Sequence, residues 1–337
     1  MPAIEQEIRQ DARIPPGYSV RELLASPLFA MSLTEAASRL IAIYHEAPRA
    51  VRYTSDLRRW LVAQAALAFY FERRTDASRE DLTVTRLTEF APLHQFASRN
   101  TIASYIAQMR QYKLFTERES QDKRLRPLAI SDAAEHLIRN WFDSHMASLD
   151  RLDGGERLAL SQADPRLLYY SHPPAARALI ADPRWNDPPE SVKTFTFTNL
   201  GSNVIHDLVA RFPSGNTLSE RCYVGELRPG DLASRYHVSR TQIVRVLNRA
   251  RALGDIGWDG SQYGEKFWIS ARLIEDYRGA GRQIRSAVEV DERRLRADIR
   301  IVRAFRRDAL RNSGRTDAIV SSRCPAARSR IWRSALR

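Results

Sequence analysis

The sequence predicts a mainly α fold with small β-hairpins, arranged as two similar halves within one chain of 337 residues. Two observations lead there. First, the segment Phe96 to Phe115 recurs as His237 to Ile256 at an offset of 141. Ser98 falls on Ser239, Arg99 on Arg240, Ile102 on Ile243, Ile106 on Leu247, Arg110 on Arg251 and Phe115 on Ile256. Each copy opens with a serine suited to cap a helix, carries apolar residues at helical spacing and runs into a strand–turn–strand pattern. Second, shorter matches lie upstream in the same order: Ala25 to Phe29 resembles Ala163 to Leu168, and Glu35 to Ala42 resembles Pro174 to Ala181, at offsets of 138 to 139. One repeat of this length denotes a duplicated domain rather than a solenoid.

The elements follow in order. Residues 18–73 read as three helices, and in the third Leu57, Leu61, Ala65 and Ala68 form one apolar face, closed by Phe69, Tyr70 and Phe71. A polar break at Thr75 to Asp81 precedes a short helix, a turn and a second helix from Arg99 to about Lys113. In that second helix Ile102, Tyr105, Ile106 and Met109 should be buried. A hairpin follows, turning at Ser120 to Lys123, and the chain becomes helical again from Asp132. Asp150 to Glu156 is the first plausible boundary, and Leu158 to Phe212 should repeat the N-terminal helices around a Pro-rich loop at Ala181 to Glu190. Thr194 to Thr198, TFTFT, alternates like a strand and has no counterpart in the first half. In the second copy Leu232, Ala233 and Tyr236 make the apolar face of a supporting helix, and Ser239 with Gln242 forms a capping box. Ile243, Val246, Leu247 and Ala250 should be buried, and the second hairpin turns at Gly260 and Gly264. Beyond Gly281, Ile284, Val288, Leu295, Ile299, Val302 and Phe305 trace a helical stripe fit for docking or self-association.

The layout is that of a winged helix-turn-helix, whose second helix enters the major groove of DNA. Three segments result. Residues 1–150 form the first such domain, with its helix-turn-helix at about 82–131, and residues 151–278 the second, at about 218–270. Residues 279–337 form an Arg-rich tail. The expected arrangement is two winged domains flanked by helices and related by a pseudo-twofold axis.

Charge supports a polyanion as partner. Net charge is +13, yet residues 279–337 alone carry 16 Arg against six Asp and Glu. A basic tail on two nearly neutral domains suits an electrostatic anchor, although a solvated Arg-rich helix has the same composition.

The first hairpin, Phe115 to Ile138, resembles the wing of MarR-type bacterial transcription regulators. Asp122 and Arg124 match that family's Asp-x-Arg turn, and Ser131-Asp132-Ala133-Ala134 stands at its helix start. The resemblance implies that Arg124 reaches into the minor groove while Asp122 braces the wing. It covers residues 60–140 best, and the second wing departs from it, with no Asp-x-Arg between Gly260 and Lys266. Regulators of this type pair two single-headed chains, so this chain resembles two fused units, a covalent pseudo-dimer.

The helical wheel selects the reading residues. On the second helix Thr241, Arg245 and Asn248 face outward, flanked by Arg249, with Ser239 and Arg240 at its start. On the first helix these are Asn100, Ser104 and Ala107, flanked by Gln108, with Arg99 at the start and Lys123 joining Arg124 on the wing. Arg245 suits guanine and Asn100 adenine.

No enzyme is expected. The sequence has no G-x-x-x-x-G-K-[ST] loop, no H-E-x-x-H and no G-x-S-x-G, and its seven histidines lack metal-ligand spacing. No cofactor or metal follows from it. Cys222 and Cys324 are far apart, which suits a reducing cytoplasm, with association to the nucleoid. No run of residues is long and apolar enough for a membrane span. The leading expectation is a sequence-specific transcription regulator that reads a non-palindromic operator in double-stranded DNA, as a monomeric pseudo-dimer or a homodimer. A plasmid-type replication initiator, also with two winged helices, is the main alternative, and an architectural nucleoid protein a third. MarR-type regulators often bind phenolic ligands, which leaves a small-molecule effector open. Trp60, Phe69 and Tyr70 would line its cleft, against the plainer reading that they pack a core.

Overall fold

The computed structural model describes residues 26 and 28–279, apart from 121, 123, 186, 214, 215, 261, 262, 264 and 265. Lys123, the apolar stripe from Ile284 to Phe305 and nearly all of the Arg-rich tail lie outside the described residues. The chain is mainly helical with small antiparallel sheets.

Three helices lead the first half: α1 (Phe29–Glu46), α2 (Pro48–Thr54) and α3 (Leu57–Thr75). Asp56 caps α3, its carboxylate accepting from the Arg58 and Arg59 amides. Next come α4 (Val84–Leu93), a turn, α5 (Arg99–Gln111) and a hairpin of β1 (Phe115–Glu117) and β2 (Leu128–Ile130). The long α6 (Asp132–Asp153) follows and stops at Gly154, which has φ +70°.

The second half opens with α7 (Arg157–Ala163), α8 (Arg166–Ala181), a 3-10 turn at Pro183–Trp185, α9 (Glu190–Thr196) and α10 (Gly201–Ala210). TFTFT therefore does not form a strand: most of it is the last turns of α9, where Phe195 is fully buried. Phe195 can reach the core from a helix, and its carbonyl approaches Gly201 so closely that a Cβ there would overlap it. Then follow β3 (Arg221–Tyr223), α11 (Pro229–Arg235), α12 (Arg240–Ala252), β4 (Ile256–Asp259), β5 (Lys266–Ser270) and helical residues 271–279. The sheet order is β3-β5-β4.

The repeat is visible bond by bond. Helices α5 and α12 are both 13 residues long and begin 141 apart, after Ser98 and Ser239, whose hydroxyls accept the Thr101 and Gln242 amides. Both are left by a residue with positive φ, Lys113 at 55° and Gly254 at 73°. The Leu114 amide donates to Met109 and the Asp255 amide to Ala250. The Ser131 amide then donates to Leu114, and Ser270 to Asp255. Phe115 pairs with Ile130 as Ile256 pairs with Ile269. The segment that follows β3 also has a counterpart, because the Leu128 amide donates to Leu82 as the Phe267 amide does to Gly225.

The cores do not follow the boundary near residue 150. Helix α8, from the second half, packs along α3, and α1, from the first half, packs along α10. Leu168, Ala175, Leu179 and Ile180 thus belong to the core of α3–α6, while Phe29, Leu33 and Tyr44 belong to that of α9–α12. Double coverage explains why α3 is buried nearly all round, Val62, Ala66 and Leu67 included, and not only along the predicted face. The cross-packing is pinned by polar contacts. His172 Nε2 on α8 lies 2.9 Å from Gln64 Oε1 on α3, and the Tyr44 hydroxyl donates to the Tyr236 carbonyl.

Two measurements test this packing. Leu168→Ala should cost about 2–5 kcal/mol, and the loss should appear as faster amide exchange in α3, in the opposite half of the sequence. Faster exchange confined to residues after 150 would contradict the exchange of helices. Burial also pushes the His172 imidazole down to about 3 from its ordinary 6.5. Its neutral form then contributes stability that is complete above pH 6.5 and is lost as pH falls towards 3. In that window stability should fall by up to about 1.4 kcal/mol per pH unit from this group. Denaturant titrations at several pH values should show a flatter slope for His172→Gln than for the parent chain.

Candidate nucleic-acid interface

Helices α5 and α12 each stand on a supporting helix and expose one side. On α12, Ile243, Leu247 and Ala250 are buried and Val246 is half-buried. Thr241, Arg245, Asn248 and Arg249 are exposed, as is Arg240 at the helix start. Ser239 is occupied by the capping box, since its hydroxyl accepts the Gln242 amide and the Gln242 side chain returns to the Ser239 amide. On α5, Ile102, Tyr105, Ile106 and Met109 are buried as expected, and Arg99, Asn100, Ser104 and Ala107 are exposed. Two polar residues there are partly spoken for. Ser104 shares a 2.8 Å hydrogen bond with the Tyr53 hydroxyl of α2, and half-buried Gln108 donates to Gln111. On the first hairpin Arg124 is exposed, and its amide, not its guanidinium, donates to the Asp122 carboxylate at 2.9 Å.

Each exposed helix is held from behind. For α12 the anchor is Asp207 on α10, 2% exposed, which accepts from the Tyr236 hydroxyl at 3.0 Å, from Arg211 at 2.8 Å and from Arg235. Burial, and then the Asp207 charge, push the Tyr236 hydroxyl pKa up, so it stays a donor. For α5 the corresponding support is apolar: Tyr105 meets Phe115 edge-on at 6.0 Å, and Leu87 and Ala91 of α4 are buried beneath it.

Ion pairing divides the surface in a way the sequence did not disclose. Of the described cations, most sit within 4 Å of a carboxylate: Arg73, Arg74, Arg86, Arg110, Arg118, Arg139, Arg151, Arg177, Arg211, Arg228 and Arg272 are examples. Those without an ion pair among the described residues gather in few places. They are Arg99 on α5, Lys113 after it, Arg124 and Arg126 on the first hairpin, Arg240, Arg245, Arg249 and Arg251 on α12, and Lys266 on the second hairpin. The rest are Arg49 and Arg52 on α2 and Arg58 and Arg59 at the start of α3, four residues that helical periodicity did not single out. Which cations find acids depends on tertiary contacts such as Arg177 with Glu72, 105 positions apart in sequence.

A cavity of about 650 Å³ lies where α1, α2, α3, α6 and α10 converge. Trp60, Trp141, Trp185, Tyr105 and Asn203 are among its walls, and Trp60 and Trp185 lie 5.5 Å apart. Of the three aromatics expected at a ligand cleft, only Trp60 lines it. Phe69 is buried edge-on against Phe90, and Tyr70 is half-buried and accepts from Arg74. Cys222 is buried in β3, with its thiol donating to Ser219. Among the described residues no helix is long and apolar enough to cross a membrane, and no group of His, Cys, Asp or Glu is placed to hold a metal ion.

No protein-family model, curated protein or solved structure matches the chain.

Replacing Asp207 by Ala should destabilise the fold by about 1.5–3 kcal/mol, because three donors lose a charged acceptor. Chemical denaturation measures it. A loss below about 0.5 kcal/mol would mean that the α11–α12 pair is held by apolar packing alone.

Proposed function

We propose that the chain is a sequence-specific, double-stranded DNA-binding transcription regulator. In this reading α4–α5 and α11–α12 are two helix-turn-helix units, each with its hairpin as the wing. The observation that carries it is the segregation of charge. Cations over most of the surface are neutralised in place, Arg110 and Arg118 included, while Arg99 on α5, the arginines of α12, and Arg124, Arg126 and Lys266 on the hairpins have no ion pair among the described residues. Exposed arginines on a helix that fits the major groove are suited to bidentate guanine contacts and to phosphates.

Support for a pseudo-twofold arrangement comes from the reciprocal packing of α1 on α10 and α8 on α3. A small-molecule effector is a further proposal, supported by the apolar cavity beneath α5, where Tyr105 and Met109 form part of the wall. Two unlike heads in one chain would also suit a plasmid-type replication initiator. Genome-wide mapping of bound sites separates the two: promoters for the regulator, clustered direct repeats for the initiator.

Because the exposed faces of α5 and α12 differ, one chain should occupy one non-palindromic operator. Arg245→Ala should cost about 1–3 kcal/mol of binding and relax base preference in one half-site only. Asn100→Ala should relax the other half. Selection from random duplexes followed by sequencing reads both effects. Symmetric inverted repeats, degraded equally in both halves by Arg245→Ala, would show one head per subunit of an ordinary dimer.

A further inference from the structure

The geometry points to a third DNA contact: an arginine strip on α2 and the start of α3 that grips the phosphates between the two half-sites. It rests on the reading of α5 and α12 as DNA-reading helices, and deepens it.

The strip is placed by a chain of contacts running from one helix to the other. On the α5 side, the exposed Ser104 hydroxyl is hydrogen-bonded to Tyr53. The guanidinium of Arg59 stacks over the Tyr53 ring at 4.2 Å and donates to the Asn199 side-chain oxygen at 2.6 Å. On the α12 side, Asn199 and Arg52 share a small cleft with Gln242 and Val246. Arg58 lies over the Phe197 ring at 4.8 Å, beside the same loop. The path Ser104–Tyr53–Arg59–Asn199–Gln242 thus joins the outward side of α5 to α12 without leaving the surface.

None of Arg49, Arg52, Arg58 and Arg59 has an ion pair among the described residues. Arg52 and Arg58 are exposed, and Arg59 is held flat by an aromatic ring and an amide rather than neutralised by a carboxylate. A guanidinium that is oriented but not neutralised suits a phosphate oxygen, since its forked donors match that geometry. Asp56, the nearest acid in sequence to Arg52, Arg58 and Arg59, uses one carboxylate oxygen to accept the α3 amides of Arg58 and Arg59. A duplex that met both reading helices would cross this strip between its half-sites. The strip would contribute affinity and fix spacing, while carrying no base preference.

The test uses the full chain and a selected operator. Phosphate-ethylation interference should show inhibition at the spacer phosphates as well as within both half-sites. The Arg52→Gln/Arg58→Gln double variant involves two exposed side chains. It should lose the spacer inhibition, keep the parent's base preference and lower the slope of log affinity against log salt by about 2. Arg151→Gln/Arg166→Gln, which removes two exposed but ion-paired arginines, should leave that slope unchanged. Spacer ethylation without effect, together with a parental salt slope in the double variant, would overturn the strip and leave the two heads standing. A parent chain with no base preference in any duplex would overturn the reading of the heads, and the strip with it.

Discussion

The exchange of α1 and α8 is the constraint on which the rest of the structure depends. Helix α3 carries apolar residues around its whole circumference, so a unit made only of α3–α6 would leave one side of it in water. Helix α8 closes that side with Leu168, Leu179 and Ile180, and α1 closes the matching side of α10 with Phe29 and Leu33. Burial of this kind, at about 25 cal/mol per Å² of apolar surface, exceeds what surface polar contacts could supply. Neither half therefore completes its core alone. The same exchange reaches the exposed helices, since Tyr44 of α1 donates to the carbonyl of Tyr236, the residue that ends the α12 support.

That fixed scaffold gives the charge pattern its meaning. Exposed ion pairs contribute about 0–1 kcal/mol each, so the many pairs on this surface are weak as stabilisers. Their clearer effect is local neutralisation. A chain this rich in Arg would otherwise attract polyanions over its whole surface. Pairing leaves α5, α12, the hairpins and the α2–α3 strip as the described regions with uncompensated positive charge. Under the proposed function, this steers a duplex towards those regions before any base is read.

Local signals in the sequence were legible where local physics decides. The serine caps, the capping box at Ser239 and Gln242, and the buried sets on α5 and α12 depend on spacing within one helix. TFTFT misled because alternation describes a strand only when its neighbours supply a partner edge. Here Phe195 is fully buried from a short helix whose outer residues are half-exposed. Exchange between halves was invisible for a different reason: periodicity shows that a face is apolar, not which segment covers it. The arginines of α2 were missed likewise, because what distinguishes them is a missing acid in space, and acids such as Glu72 or Asp207 find their partners far along the chain.

The two exposed helices, alike in backbone, are unlike in what they offer, and the difference follows from their surroundings. Helix α12 carries Arg240, Arg245, Arg249 and Arg251, none of them ion-paired among the described residues. Helix α5 carries Arg99, and Ser104 in its middle is tied to Tyr53. Its hairpin compensates. Ten residues separate β1 from β2, against six between β4 and β5, and the longer loop bears Arg124 and Arg126 on a turn braced by Asp122. In the proposed function the second head depends on its helix, and the first on its wing and the adjoining α2 strip. A chain of two similar units held together by exchanged helices is free to vary in this way. Each face can change its side chains while the shared core keeps both helices in position.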